Sequence, residues 1–337
     1  MKAALVREFK MPLEIVELDP PEPAPDEALI KVEACGVCHS DLHISEGDWP
    51  QLKRFIKQPL IPGHEVVGRV VKLGGSVSEK IKPGDRVGVS WVHWTCGECE
   101  FCKEGNENLC SSQSITGATV DGGYAEFMKA KASHVITVPD ELSSHEAAPL
   151  FCAGVTVFRA MKNGGIRDGQ RVAVFGVGGL GHLAIQIAKT LGAEVTAIDV
   201  VEDKLELARE VGADHTLNAA TEDIPKMFRS RGGLHAAVVT SAAKAAYDQA
   251  FYSVRPSGSL VVVGMPSEPL SFPAIMMREI RITSAATGTR KDQKEVLELA
   301  AQGKLRCRVE TTKLEAINDI FDQMRRGQIT GRMVVTF

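Results

Sequence analysis

The stretch RVAVFGVGGLGHLAIQIAKTLGA, residues 171–193, decides the fold. RVAVFG is a short apolar run of strand type, and HLAIQIAKTLGA repeats its apolar residues at helical spacing. Between them Gly176, Gly178, Gly179, Leu180 and Gly181 spell G-x-G-x-x-G. That pattern alone says little, because the chain holds 31 glycines. Its position directly after a strand and at the opening of a helix gives it weight. Gly176 allows a tight turn, Gly178 lets the backbone approach a pyrophosphate, and Gly181 lets helix pack closely on strand. The free N–H groups of the helix N-terminus then face the phosphates.

Working outward, strand and helix alternate. EVTAID (194–199) reads as a second strand, and EDKLELAREVGA (202–213) as a helix closed by Gly212. HAAVVTS (235–241), AAKAAYDQAFYSV (242–254) and GSLVVVG (258–264) continue the series. This alternation predicts an α/β domain with a doubly wound parallel sheet of Rossmann type. Asp199 ends the second strand 18 residues beyond Gly181. A carboxylate there accepts both ribose hydroxyls of NAD and repels a 2′-phosphate. Val200 and Val201 follow rather than an arginine. NAD is therefore expected over NADP, with Lys204 close enough to assist at the ribose.

The first half differs in texture. ALIKVEAC (28–35), HEVVGRVVKLG (64–74) and GDRVGVSW (84–91) are β-rich and broken by Gly and Pro. AGVTVFRAMKN (153–163) reads as a bridging helix. KDQKEVLELAAQG (291–303) and LEAINDIFDQMRRG (314–327) read as late helices, and RMVVTF (332–337) as a closing strand. The expected division is 1–153 with 291–337 as one domain and 154–290 as the other. A length of 337 residues suits two domains.

Lys+Arg 39 against Asp+Glu 43 gives a net charge of −4, which argues against nucleic acid and anionic membranes as partners. No apolar run is long enough for a membrane span, and the start has no secretory h-region. A cytoplasmic protein is expected.

Eight cysteines in such a chain ask for metal rather than a disulfide framework. Cys96, Cys99, Cys102 and Cys110 read C-x2-C-x2-C-x7-C. Four thiolates on a tight loop, turned at Gly97 and Gly105, suit a closed, structural zinc. An iron–sulfur cluster is the weaker alternative, lacking the ferredoxin context. Cys38, His64 and Cys152 are ligand types too, but they are scattered, and spacing alone does not select them.

The runs ACGVCHSDLH, PGHEVVGRVVKLG, CGECEFCKEGNENLC, DGGYAEF, GVGGLGH and GRMVVTF together resemble the zinc-dependent alcohol dehydrogenases of the medium-chain dehydrogenase/reductase family, of bacterial and yeast type. They cover essentially the whole chain in family order. The resemblance implies that the β-rich part is a GroES-like catalytic domain. It implies a second zinc, catalytic and with one open position, on Cys38, His64 and Cys152. Two zincs per chain follow, with NAD taking hydride from a small primary alcohol to give the aldehyde. It further implies Ser40 as first proton acceptor and His43 as the relay to solvent. Asp41 would orient His64, and Glu65 would lie beside the zinc. His39 and Arg332 would meet the pyrophosphate. Leu180 and Met265 would lie near the nicotinamide, and Trp49 and Trp91 would narrow the substrate pocket. His93 and Trp94 beside Trp91 suggest a rim unlike that of relatives. Cys35 and Cys307 have no assigned role. By resemblance the enzyme is a homo-oligomer, a tetramer favoured over a dimer, and IRITSA offers a strand for pairing across a two-fold axis. The competing readings are an NADP-dependent cinnamyl or aromatic alcohol dehydrogenase and a zinc- and nucleotide-binding sensor without turnover.

Overall fold

A computed structural model of the chain describes every residue except Glu79. The chain divides into two compact units. One comprises Met1–Cys152, Thr289–Ala301 and Cys307–Phe337; the other comprises Ala153–Gly288 and Gln302–Arg306.

The second unit is built on a six-stranded parallel sheet. In spatial order its strands are His215–Asn218, Glu194–Asp199, Arg171–Phe175, Leu234–Val239, Val254–Val262 and Arg281–Ser284. This is the doubly wound 3-2-1-4-5-6 order, with Arg171–Phe175 first in the chain and central in the sheet. Val172, Ala173 and Val174 are wholly buried. A central parallel strand has helices on both faces, so it reads as continuous apolar sequence rather than as alternation. The sequence reading missed the His215–Asn218 strand and the helix Ile224–Arg229. Both are short, and the strand carries no fully buried residue to mark it. Arg281–Ser284 forms one edge of the sheet.

The first unit holds a seven-stranded sheet. Glu27–Gly36 pairs antiparallel with Glu65–Leu73, with Phe127–Lys131 and with the last strand, Arg332–Thr336. Arg86–Val89 and Ile136–Thr137 continue the sheet beyond Glu65–Leu73, and Val309–Thr312 lies outside Arg332–Thr336. Two registers matter for chemistry: Gly36 stands opposite Glu65, and Val335 opposite Cys35. The core beneath is aliphatic, with Ile30, Ile44, Leu60 and Val66 fully buried, and Tyr124 is buried with them.

Candidate metal centres and dinucleotide loop

The first centre is assembled from three separated segments. The helix His39–Glu46 starts after Cys38, and Asp41 on its first turn accepts the Cys38 backbone N–H at 2.9 Å. His64 precedes the strand Glu65–Leu73, and Cys152 follows the short 3₁₀ helix Ala148–Phe151. Potential ligand atoms of Cys38, His64, Glu65 and Cys152 all lie within 4.8 Å of one another.

Geometry and donor chemistry both fit zinc. The sulfurs of Cys38 and Cys152 are 4.0 Å apart. A tetrahedron with zinc–sulfur bonds of about 2.3 Å has an edge of ~3.8 Å. His64 is fully buried, and its Nδ1 lies 2.8 Å from Asp41 Oδ1. An ionised carboxylate only accepts, so Nδ1 carries a proton, and Nε2 is the ring nitrogen that a metal would engage in place of a proton. That Nε2 is buried without a hydrogen-bond partner. A cation among these groups gives it one.

Charges around the centre are closely coupled. The Cys152 thiol, hydrogen-bonded to Cys38, holds Cys38 well below the thiol range even against burial, and Cys152 is pushed well above it. Burial would depress His64, but the Asp41 carboxylate and the Cys38 sulfur more than reverse this. Burial pushes Glu65 up to about 7 although the Arg332 guanidinium opposes the shift. Arg332 Nη2 donates to Glu65 Oε1, while Oε2 has no partner. Gly36 makes room for this carboxylate, since a Cβ there would sit 1.9 Å from Oε2.

Tyr124 was not singled out in the sequence. Its phenol is fully buried and donates to Asp41 Oδ2 at 2.8 Å. With the N–H of Gly63 at 3.2 Å, Asp41 accepts from four donors, and its own residue is completely buried. The motif DGGYAEF carried the signal, but only the fold brings it beneath Asp41. A hydrogen bond to a buried charge contributes about 1.5–3 kcal/mol. We therefore expect Tyr124→Phe to release zinc from this centre about tenfold or more faster, measured by chelator competition. An unchanged release rate would mean that the phenol only fills space.

The other predicted residues of this unit lie around the same helix. Ser40 is half-buried and His39 exposed. His43 Nδ1 is 3.3 Å from Asp48 Oδ2, and its ring centroid is 5.4 Å from that of Trp49. Trp49 meets Trp91 edge-on at 6.1 Å, and Trp91 meets the His64 ring edge-on at 5.0 Å. His93 does not join this wall: it is buried, and burial pushes its imidazole down to about 4. Trp94, next on the strand, is exposed. Arg332 is buried rather than displayed, because it serves as the counter-charge of Glu65.

The second centre is local. Cys96, Cys99, Cys102 and Cys110 also place their sulfurs within 4.8 Å of one another, and none forms a disulfide. Sulfur–sulfur distances of 3.9 Å (Cys96–Cys102) and 3.5 Å (Cys96–Cys110) are near a tetrahedral edge. Backbone N–H groups of Glu98 and Cys99 bring Cys96 down to about 6, whereas Cys102 is pushed up to about 12 by burial and its neighbouring thiols. Crowded thiolates need a cation before all can ionise. Four sulfurs leave such a cation no open position.

In the other unit the glycine loop follows the Arg171–Phe175 strand and opens the helix Gly181–Thr190. Gly176 has φ of 94°, and a Cβ on Gly181 would lie 1.9 Å from Gly176 O. Gly178 is different, since a Cβ there would meet nothing within 4 Å. Its lack of a side chain serves whatever approaches from outside, as pyrophosphate does. Leu180 and Gly179 are half-buried on the same loop. Asp199 is more constrained than the sequence suggested. Its Oδ2 accepts the Val177 N–H at 2.7 Å, and Oδ1 accepts those of Val200 and Val201 at 2.8 and 3.1 Å. The carboxylate thus fixes the loop while keeping about one lone-pair site, on Oδ2, for a hydroxyl donor. Lys204 lies half-buried on the helix Glu202–Glu210, and Met265 is exposed beyond the Val254–Val262 strand.

Comparison with known proteins agrees with this geometry. The family models for the alcohol dehydrogenase GroES-like domain and the zinc-binding dehydrogenase match residues 24–140 and 179–302. An alcohol dehydrogenase of Geobacillus stearothermophilus is 46% identical, covering 99% of both chains. One from Rhizobium meliloti is 44% identical over 99% of this chain and 98% of its own. Among solved structures, the alcohol dehydrogenase of Aeropyrum pernix superposes with a TM-score of 0.91 at 34% identity, covering 100% of both chains. Two cysteine-rich centres with zinc geometry, a 3-2-1-4-5-6 sheet behind a glycine loop, and full-length relatives place the chain in one family: it belongs to the zinc-dependent alcohol dehydrogenases of the medium-chain dehydrogenase/reductase class.

Proposed function

We propose that this alcohol dehydrogenase interconverts small primary alcohols and aldehydes, with NAD as the hydride acceptor and two zinc ions per chain. The choice of dinucleotide rests on Asp199, a carboxylate followed by two valines where an arginine would receive a 2′-phosphate. Like charges juxtaposed in a site cost several kcal/mol, so NAD should lead NADP in kcat/KM by about a hundredfold or more. Initial rates with both dinucleotides test this. An NADP preference, joined to faster turnover of cinnamyl than of ethyl alcohol, would overturn it in favour of the aromatic reading.

Cys38, His64 and Cys152 would hold the catalytic ion, and the four clustered cysteines the structural one. When bound, zinc supplies a Lewis acid toward the alcohol oxygen, and NAD supplies the hydride acceptor. The chain's own residues do the rest. Ser40 takes the hydroxyl proton, and His43, exposed enough to reach water, delivers it to solvent. Asp41 and Tyr124 keep His64 in one tautomer. Trp91 beside His64 and Trp49 beside Trp91 form a rigid wall that favours short, unbranched alcohols. Arg332 contributes positive charge toward the pyrophosphate while neutralising Glu65, and His39, whose imidazole is held below its usual range by partial desolvation, offers it a neutral N–H. Lys204 assists at the ribose, and Leu180 and Met265 border the nicotinamide.

We infer a homotetramer in the reducing cytoplasm, where six ligand thiolates stay reduced. Exposed Met276 and Met277, on the helix Ile275–Arg278, offer apolar surface for such pairing.

A further inference from the structure

The nucleotide-binding unit has a second concavity, at the opposite ends of its strands from the glycine loop. A cleft of about 220 Å³ lies where the strands starting at Arg171, Leu234, Val254 and Arg281 begin. Arg167, Arg255 and Arg281 line it, with His235, Ser257 and Ser259. Among the described residues, none of the three guanidinium groups has a carboxylate partner, and no acidic residue lines the cleft. Glu279 reaches only its margin, 3.5 Å from Ser257 Oγ.

The lining is a set of donors. His235 Nδ1 accepts the Arg171 backbone N–H at 3.1 Å, so in the neutral ring Nε2 carries the hydrogen. Burial, then Arg255 and Arg171, disfavour a proton on His235, which registers the positive potential of the place. Arg171 itself is committed elsewhere, donating from Nε and Nη2 to Gly233 O at 3.2 and 2.9 Å. Ser257 holds a φ of 58°, a backbone conformation that costs a serine about 1 kcal/mol or more.

Two ordinary explanations fall short. The helix Ala153–Gly164 ends at this cleft, and a helix C-terminus attracts cations. That end carries only about half a negative charge, which one arginine answers. Three overshoot it, on a chain whose net charge is −4. The three arginines are exposed, yet they gather around one concavity with no carboxylate in its lining.

We propose that this cleft binds a small phosphate-bearing anion, away from the dinucleotide loop. A carboxylate fills one guanidinium fork, whereas a tetrahedral phosphoryl group offers oxygens to several forks at once. The site is independent of the catalytic reading.

Isothermal titration of inorganic phosphate and of inorganic pyrophosphate into the zinc-loaded enzyme tests it. The preferred reduced dinucleotide is held at saturation, so that the glycine loop is filled, and ionic strength is constant. The wild type should bind pyrophosphate saturably at one site per chain, and the double variant Arg255→Gln/Arg281→Gln at least about tenfold more weakly. The variant's ethanol turnover and melting temperature in chloride report that it is folded. No saturable binding by the wild type below about 10 mM, or equal binding by the variant, would overturn the proposal. Citrate binding more tightly than pyrophosphate would overturn the phosphoryl assignment. Tighter binding of pyrophosphate than of phosphate would place the natural ligand among diphosphates and larger phosphorylated molecules, and the reverse would place it with free phosphate.

Discussion

Replacing Cys38 by alanine will lower alcohol oxidation by about a thousandfold or more while reduced dinucleotide still binds. The variant removes one of two sulfurs that stand 4.0 Å apart, leaving Cys152 and His64 to hold an ion alone. A catalytic metal contributes several kcal/mol of charge stabilisation, and each 1.36 kcal/mol is tenfold in rate. The glycine loop is built entirely from the other unit, by Gly176 to Gly181 and Asp199. Fluorescence titration with the reduced dinucleotide should therefore give a Kd close to wild type. Zinc analysis should give one ion per chain instead of two. Ethanol oxidation retained at the wild-type rate would remove Cys38 from the catalytic centre.

Cys99→Ser should produce the opposite signature. Thiolate zinc sites contribute folding energy outright, about 10–16 kcal/mol in small zinc-binding peptides. The lobe around Cys96–Cys110 has only a small core besides its sulfurs: its helix Glu100–Lys103 is one turn long with no buried residue, and Glu107, buried beside Asn108, ties it to Arg290. Losing even ~5 kcal/mol should lower the melting temperature by about 7 °C in a chain of this size. At low temperature, turnover per folded molecule should stay within a few-fold of wild type, and again one zinc should remain. A variant that keeps its melting temperature while losing that zinc would show that the ion does not stabilise the fold. Read together, the two variants separate an ion that works from an ion that holds.

Parts of this molecule were legible in the sequence for a physical reason. A buried parallel strand followed by a glycine loop and an amphipathic helix leaves a local, periodic trace, so the Arg171–Thr190 unit could be read directly. The four clustered cysteines were legible because their ligand set is contiguous. Cys38, His64 and Cys152 were not legible by spacing, since only the sheet register and two short helices bring them together. The resemblance to a family named them. Neither route reached Tyr124, whose relation to Asp41 exists only after Glu27–Gly36, Glu65–Leu73 and the DGGYAEF segment have packed. Asp199 was read as a carboxylate for the ribose, but not as the acceptor of three backbone N–H groups, because side-chain-to-backbone bonds depend on loop path. The strands Ser114–Ile115 and Ile136–Thr137 are two residues each, too short for any period to show.

One pairing described above concerns the order in which the protein is made. Cys38, His64, Glu65 and Cys152 all leave the ribosome before the nucleotide-binding unit does, but Arg332 only after it. Until the strand Arg332–Thr336 docks beside Glu27–Gly36, Glu65 lacks its guanidinium partner, and burying its carboxylate costs more. The guanidinium that balances this carboxylate therefore reaches the first unit only after translation has run through the whole nucleotide-binding unit.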